Sequence, residues 1–148
     1  MSEKFKTEVA LKALLTKQRL AALATSGKNG PYLNLVAFAP GLNLQHIFFA
    51  TARTTQKYEN IRANPEISLL IDSRSNQPAD FHRAAAVTAI GSAGELRGRD
   101  REEARKIYLA RHPHLDDFTN SPSCAFFRVL VKTYVLVRDF QRVDLIEP

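Results

Sequence analysis

The most informative stretch of the chain covers residues 48–65 and reads Phe48-Phe49-Ala50-Thr51-Ala52-Arg53-Thr54-Thr55-Gln56-Lys57-Tyr58-Glu59-Asn60-Ile61-Arg62-Ala63-Asn64-Pro65. It combines an apolar run, a hydroxyl-rich turn and a helical segment. The run His46–Thr51 predicts a strand because it is rich in phenylalanine. A helix is expected from about Thr54 to Ala63, because a threonine can cap its first turn and Asn64-Pro65 stops it.

The junction between this strand and this helix has the chemistry of a phosphate site. The start of a helix leaves backbone N–H groups unpaired and carries a partial positive charge. Hydroxyl groups come from Thr51, Thr54 and Thr55, and positive charge comes from Arg53 and Lys57. The pattern therefore indicates a phosphate cradle. A capped surface helix with solvated cations explains the same residues, and spacing alone favours that simpler interpretation.

Outward from this segment, short apolar runs alternate with turns and helices. Two further helices are predicted at 7–18 and 101–111. The strands are predicted at Leu20–Thr25, Tyr32–Ala39, His46–Thr51, Glu66–Asp72, Ala85–Leu96, Ser123–Val137 and Gln141–Ile146. This pattern predicts a mainly β (α+β) protein whose six or seven antiparallel strands form a split barrel. Hairpin-linked strands close readily into a barrel because closure removes exposed edges, and the helices are expected to plug or flank it.

Three local signals refine this prediction. Asn29-Gly30 between two apolar runs predicts a tight hairpin, since both residues accept positive φ. Gly91 and Gly94 in the fifth strand predict a bulge or sharp curvature. Asp100 and Glu103 predict a capping box at the start of the helix at 101–111.

The composition fits one domain spanning residues 1–148. A single cysteine, Cys124, excludes an internal disulfide framework and fits a reducing compartment. No apolar run approaches the roughly 18–20 residues of a membrane helix. The charged N-terminus has no apolar signal-peptide core. We therefore expect a cytoplasmic protein that does not bind a membrane.

The net charge is +6 and the isoelectric point is about 9.7. A surplus of this sign admits anionic partners, namely nucleic acid, a membrane surface or a phosphorylated small molecule. We expect function from Lys57, then Arg53 and Arg74, and interpret the other cations as solvated surface. The surplus therefore points to a phosphate on a small cofactor more than to a polyanion.

Several short motifs occur in a characteristic order. In chain order they are a helix, Leu23-Ala24-Thr25, Gly30-Pro31-Tyr32, Phe48-Phe49-Ala50-Thr51, Lys57, Asn60, Ala63-Asn64-Pro65, Ile67-Ser68-Leu69-Leu70 and Ala89-Ile90-Gly91. Over about residues 9–137 this order resembles the pyridoxamine 5′-phosphate oxidase-like split barrels, the fold of many FMN-binding proteins. The segments 81–94, 108–113 and 126–129 look closest to the haem-utilisation branch of that superfamily.

The resemblance implies that FMN lies at the interface of a homodimer. It implies that Asn34, Leu35 and Val36 line the flavin. It also implies that the turn after the third strand holds the ribityl phosphate. The residues of that turn are Thr51, Arg53, Thr54, Thr55, Gln56 and Lys57.

The chain departs from the oxidases at positions that matter for their chemistry. The oxidases have an arginine at the position of Asn34, a lysine at that of Ala39 and a glutamine near Ala86. The tail after Val137 lacks the Arg-x-His pattern that binds the oxidase substrate. We therefore do not expect true pyridoxamine-phosphate oxidase activity.

The loop after the fourth strand supplies a further candidate for the same site. Arg74 and Asn76 are predicted to reach the phosphate or the flavin edge, because similar segments occur in small relatives of the family. A polar turn explains these residue types equally well.

The histidines are considered as metal or haem ligands. His112, His114, Asp116 and Asp117 fit no standard zinc spacing, so no metal site is expected. If the cofactor is haem, a histidine is the expected axial ligand, with His82 and His112 as first candidates. Cys124, at the start of an apolar strand, is expected to be a buried, inert thiol.

Together these observations predict a flavin-dependent oxidoreductase acting on a small organic substrate. The flavin supplies the redox chemistry, and no side chain stands out as a general acid or base, so no catalytic residue is assigned. A haem-binding or haem-utilisation protein on the same barrel is the alternative. A cofactor-free or nucleic-acid-binding barrel ranks third, because single-strand binding needs aromatics interleaved with cations. The strand aromatics that lack this arrangement are Tyr32, Phe38, Phe48 and Phe49.

Overall fold

The computed structural model describes residues 2–148, which form seven strands, five α-helices and one 3₁₀ turn. The helices are α1 (Glu3–Lys17), α2 (Gln56–Ala63), α3 (Asp80–Arg83), α4 (Gly98–Arg111) and α5 (Asp116–Asn120), with the 3₁₀ turn at Pro113–Leu115. The strands are β1 (Leu20–Gly27), β2 (Gly30–Pro40), β3 (His46–Ala52), β4 (Glu66–Asp72), β5 (Ala86–Leu96), β6 (Cys124–Arg138) and β7 (Arg142–Ile146).

The strands form one antiparallel sheet in the order β3-β2-β1-β4-β5-β6-β7. Pairing between β3 and β6 closes the first six of these strands into a barrel, and β7 remains outside it on the far half of β6. The predicted antiparallel barrel with flanking helices is therefore confirmed. Three helices were expected where the described residues form five, because α3 and α5 are too short to leave a periodic pattern.

The predicted hairpin joins β1 to β2, but its turn lies one residue earlier than expected. Gly27 pairs with Gly30, so that Lys28 and Asn29 form the turn. Of the predicted Asn-Gly pair, only Gly30 has positive φ, at 115°. The glycine therefore supplies the conformation that side chains disfavour.

The predicted irregularity in β5 is a bulge between Ile90 and Gly91, where the register with β6 shifts. A β-carbon built on Gly91 would lie 2.2 Å from the carbonyl oxygen of Leu130. At Gly94 a β-carbon would meet nothing within 4 Å. Close approach of two backbones therefore requires glycine at position 91 and not at position 94.

The helix predicted at 101–111 begins earlier and without the predicted capping box. Helix α4 starts at Gly98, and its N-cap Arg97 makes no side-chain capping bond. The expected helix at 7–18 likewise starts at Glu3, where Ser2 accepts a hydrogen bond from the backbone N–H of Phe5 at 3.1 Å. The serine cap explains the earlier start of α1.

Two apolar cores hold the fold together. Leu11, Leu14 and Leu15 of α1 pack with the inward side chains of the barrel, where the Phe49 and Phe127 rings stack 5.3 Å apart. The second core lies outside the barrel, between α4 and the outer surface of β2, β3 and β6. This second core places α4 beside β3, close to the turn that leads into α2.

The opposite part of the outer sheet surface carries an exposed apolar patch. We call it the outer apolar face; it is formed by Leu20, Ala22, Leu33, Leu35, Leu70 and Ile90. Leu35 and Leu70 both lie beside Ala22 in the sheet, and their exposed fractions are 64% and 38%. Among the residues from 2 to 148, no helix is both long and apolar enough to cross a membrane.

Candidate cofactor-binding site

A cleft of about 380 Å³ lies where the outer surface of β2 and β3 meets α2, α4 and α5. Its walls are largely apolar. They are formed by Leu35, Val36, Ala37, Ala50, Thr51, Ala52, Thr55, Lys57, Tyr108, Leu115 and Phe118. The cleft therefore brings together five of the residues predicted for the flavin site, from two separate segments of the chain.

The hydroxyl groups of the β3–α2 turn hold the turn itself. The side-chain oxygens of Thr51 and Thr55 lie 2.9 Å apart, and Thr51 is 2% exposed. Thr55 caps α2 by accepting from the backbone N–H of Tyr58 at 3.3 Å, and it donates to the carbonyl of Ala52 at 2.9 Å. These bonds fix the direction of the first turn of α2, whose leading N–H groups have no partner within the helix.

Lys57 is the cation of the cleft. Its side chain is half-buried and makes no hydrogen bond or ion pair within residues 2–148. Burial lowers the pKa of its ammonium group, because water is partly excluded and no carboxylate replaces it. The N-terminus of α2 adds a partial positive charge beside this ammonium group.

The other predicted residues of this turn point away from the cleft. Gln56 donates to Asn60 at 2.8 Å, and the buried Asn60 donates to Thr25 of β1 at 3.0 Å. This chain of bonds fastens α2 to the barrel. Thr54 is exposed and does not line the cleft.

Arg53 is held by a network at the end of the barrel. Its guanidinium forms an ion pair with Glu95 at 2.8 Å and donates to the carbonyls of Pro122 and Cys124 at 2.9 and 3.1 Å. Glu95 also accepts from the hydroxyl of Tyr58 at 2.8 Å. Arg53 therefore lies outside the cleft and positions the turn that contributes to it.

This network predicts that the free energy of unfolding decreases at acid pH as Glu95 becomes protonated. Burial of Glu95 raises its pKa, but hydrogen bonds from Tyr58 and Arg53 outweigh this effect and bring the pKa below its ordinary value of 4.5. A depressed carboxyl pKa stabilises the fold above the unfolded-state value, and that stability is lost as the pH falls. We expect Glu95→Gln to lower the free energy of unfolding by roughly 1–3 kcal/mol at neutral pH.

The pH profile provides the check. Urea unfolding from about pH 6 to about pH 3 is expected to show a smaller loss of stability in Glu95→Gln than in the wild type. Glu66→Gln is the matched control, because its carboxylate pairs with Lys132 at the surface and both side chains are 57% exposed. Equal pH profiles for wild type and Glu95→Gln would contradict the assignment.

The three predicted residues of β2 take different positions. Val36 borders the cleft, but its buried side chain packs in the core inside the barrel. Leu35 stands at the cleft lip on the outer apolar face. Asn34 does not line the cleft; its side-chain oxygen is buried and has no hydrogen-bond partner. Leu35 is therefore the residue through which the cleft continues onto the outer apolar face.

Arg74 and Asn76 lie apart from the cleft. Arg74 forms an ion pair with Asp72 at 2.9 Å and lines a second cleft of about 460 Å³, which shares Leu35 with the first. Asn76 is exposed with a φ of 62°, and its backbone N–H donates to Asp80 at 2.8 Å. Both residues therefore take part in a polar turn, and only Arg74 borders a cleft next to the candidate site.

The two histidines considered for haem have different surroundings. His112 is 2% exposed, and its Nε2 lies 2.7 Å from the carbonyl oxygen of Phe38. Burial lowers the pKa of His112. His82 is exposed, with its ring 5.0 Å from that of Phe140. The Nε2 atom of His112 is thus engaged in tying α4 to the barrel.

Cys124 is buried, and burial raises the pKa of its thiol, as expected for an inert side chain. Within the described part of the chain, no three His, Cys, Asp or Glu side chains cluster as a metal site would require.

Sequence reasoning missed one wall of the cleft. Tyr108, Leu115 and Phe118 come from α4 and the segment after it, far along the chain from the β3–α2 turn. Only the packing of α4 onto the outside of the barrel brings them there. Tyr108 belongs to the segment 108–113 that resembles the haem-utilisation branch, but nothing in that resemblance places it, Leu115 or Phe118 at the cleft.

A closed six-stranded antiparallel barrel with a lateral cleft at a helix N-terminus defines the split-barrel class of proteins. The chain belongs to the family described as Pyridoxamine 5'-phosphate oxidase, whose sequence profile matches residues 7–143. No curated protein matches the chain.

Solved structures with the same fold differ widely in sequence. A heme binding protein from Mycobacterium smegmatis is 18% identical with a TM-score of 0.81, and the match covers 90% of this chain and 55% of that one. ChuZ from Campylobacter jejuni is 16% identical with a TM-score of 0.84, over 99% of this chain and 61% of that one. A FAD-binding protein from Mesorhizobium loti is 22% identical with a TM-score of 0.71, over 87% and 90% of the two chains. This chain thus spans less than two thirds of the first two proteins.

Proposed function

We propose that this single-domain chain is an FMN-dependent oxidoreductase whose cofactor lies in the cleft beside Lys57. The main support is the half-buried ammonium group of Lys57. It has no counter-ion within residues 2–148 and lies at the N-terminus of α2. A phosphate group matches both features in charge. The apolar walls on β2, β3 and α4 suit the flat, aromatic part of a flavin.

The residues present fit the group, and each has a definable task. Lys57 and the leading N–H groups of α2 would hold the phosphate, while Thr51 and Thr55 keep the turn in shape. Leu35, Tyr108 and Phe118 would exclude water from the ring. A bound flavin supplies hydride or single-electron transfer, whereas the protein supplies binding, orientation and electrostatics.

The outer apolar face supports a homodimer whose interface borders the cleft. The face consists of six clustered apolar residues on the four neighbouring strands β2, β1, β4 and β5. A second copy of the chain packed on this face would remove them from water. Leu35 belongs both to this face and to the cleft lip. A second copy on this face would therefore cover the open side of the cofactor site.

Leu70→Glu tests the dimer. A carboxylate in the middle of the outer apolar face is expected to weaken self-association at least about 100-fold, because the charge would lose its water without gaining a partner. Sedimentation equilibrium of the wild type and variant measures the change. Leu145→Glu on β7 is the control, since Leu145 is 67% exposed and lies outside the barrel. A wild-type monomer at all concentrations would refute the dimer.

The substrate proposed is a small organic molecule other than pyridoxamine phosphate. This chain lacks three features of the oxidases. It has Asn34 in place of their arginine and Ala39 in place of their lysine, and it lacks their C-terminal Arg-x-His pattern. No catalytic residue is assigned, because no side chain stands out as a general acid or base, and the flavin would supply the redox chemistry. Cytoplasmic placement stays a prediction.

The direct test is titration of the purified protein with FMN, followed by flavin absorbance and fluorescence. We expect saturable binding at micromolar FMN. Absence of binding in this range would refute the proposal. The same spectra test the haem alternative, since a Soret band after haem addition would favour it, and its survival in His82→Ala would direct attention to other ligands.

Nucleic-acid binding has less support than either cofactor. Phe38 and Phe49 are fully buried and Phe48 is 8% exposed, so none of the three offers a ring face to a base.

A further inference from the structure

We propose that a second pocket, next to the cleft, binds a small phosphate-class oxyanion. This arginine pocket has a volume of about 280 Å³ and receives the guanidinium groups of Arg53, Arg101 and Arg105. Helix α5 separates it from the cleft, with Phe118 facing the cleft and Thr119 lining the arginine pocket. Its position distinguishes it from the cofactor site proposed above.

Two of the arginines share one hydrogen-bond acceptor. Arg53 and Arg101 both donate to the carbonyl oxygen of Cys124, at 3.1 and 3.2 Å. A neutral carbonyl orients the two guanidinium groups but does not cancel their repulsion. Arg105 lies one turn further along α4, on the same helix face as Arg101. The packing therefore concentrates three positive charges around one polar opening.

Each of the three arginines has one carboxylate partner. Glu95 pairs with Arg53, and its side chain is 14% exposed. Glu102 and Asp116 pair with Arg101 and Arg105; both carboxylates are 58% exposed, and Glu102 also lines the pocket. Water weakens the attraction of these two exposed carboxylates for the arginines. The pocket therefore offers an anion oriented guanidinium donors and not an unpaired charge.

The Cys124 thiol does not serve as an internal counter-ion. The three arginines act to lower its pKa, yet burial outweighs them and the pKa is raised. The thiol therefore stays protonated at neutral pH. The thiol therefore does not compete with an anion for the guanidinium groups.

Unused hydrogen-bond donors remain in fixed positions. Within residues 2–148, no group accepts from Arg101 Nε or Arg105 Nη1. The guanidinium of Arg101 is held 5.2 Å from the ring centroid of Phe126, which restricts its plane. Ser121 also lines the pocket, where its hydroxyl lies 3.0 Å from that of Ser123 and accepts from the Ser123 backbone N–H. A fork of guanidinium donors suits the several oxygens of a phosphate.

Isothermal titration with inorganic phosphate, against chloride at constant ionic strength, tests the proposal. We expect saturable binding by the full chain that weakens at least roughly tenfold in Arg105→Gln. Arg99→Gln is the matched control, since Arg99 is an exposed arginine of α4 outside the pocket. Unchanged affinity in the control and a loss in Arg105→Gln support the site. No saturable binding by the wild type, or equal losses in both variants, would overturn it.

Further arms separate the arginine pocket from the cleft and from misfolding. Lys57→Ala is expected to retain this phosphate affinity; loss there with retention in Arg105→Gln would move the phosphate to the cleft and refute the proposal. Arg101→Lys keeps the charge but removes the guanidinium fork. We expect it to weaken phosphate binding less than Arg105→Gln does, with an unchanged circular dichroism spectrum. Glycerol phosphate is expected to bind like inorganic phosphate and to lose affinity in the same variants, because an open pocket accepts both the ester and the free ion.

Discussion

Replacement of Lys57 by alanine is expected to weaken FMN binding roughly 10- to 100-fold while leaving riboflavin binding nearly unchanged. A charge-assisted contact to a phosphate contributes about 1.5–3 kcal/mol, and riboflavin lacks the phosphate. Lys57 is suited to this contact because its ammonium group is half-buried and forms no ion pair within residues 2–148. Fluorescence titration with both ligands measures the two affinities.

Lys106→Ala serves as the control for this prediction. Lys106 is an exposed lysine of α4 that does not line the cleft, so its loss removes the same net charge from another place. Equal weakening of FMN and riboflavin in Lys57→Ala would place the phosphate elsewhere. Equal effects of the two lysine variants would reduce the role of Lys57 to the general charge of the protein.

Gly91→Ala is expected to lower the free energy of unfolding by about 3 kcal/mol or more. The added β-carbon would lie 2.2 Å from the carbonyl oxygen of Leu130. That neighbour is backbone within a paired strand, so the bulge must widen and bonds between β5 and β6 must lengthen or break. Urea denaturation followed by circular dichroism measures the loss.

Gly94→Ala is the matched control, because the same methyl group on the same strand meets nothing within 4 Å. We expect it to be neutral or slightly stabilising, since alanine restricts the unfolded chain more than glycine. Similar losses in the two variants would show that glycine is needed in β5 for flexibility and not for space.

The strands were predictable because their patterns are local. The bounds of β4 agree with the predicted Glu66–Asp72 at both ends, since charged and turn residues flank a compact apolar run. The predicted start of α4 was wrong, because an Asp-x-x-Glu pair is compatible with either the cap or the interior of a helix. Asp100 lies inside the first turn of this helix, whose first residue is Gly98.

The candidate site was predictable in part for the same reason. Thr51, Thr55 and Lys57 lie close together in sequence, so one local motif identified the turn. The role of Arg53 was not visible, because its partner Glu95 is 42 positions away and reaches it only in the closed barrel. An arginine in such a motif can either bind the phosphate or hold the turn in place. Only its contacts in the folded structure distinguish these two roles.

The pairing of β3 with β6 has a consequence for the order of folding. It sets His46 opposite Leu130 and Ala52 opposite Cys124, so the closing contacts join distant parts of the chain. Contacts of high sequence separation form slowly, because a long loop must first be ordered. The loop closed here contains α4 and α5, which also form one wall of the cleft. A ligand that binds in the cleft would therefore favour the closed barrel over open forms of the chain by mass action.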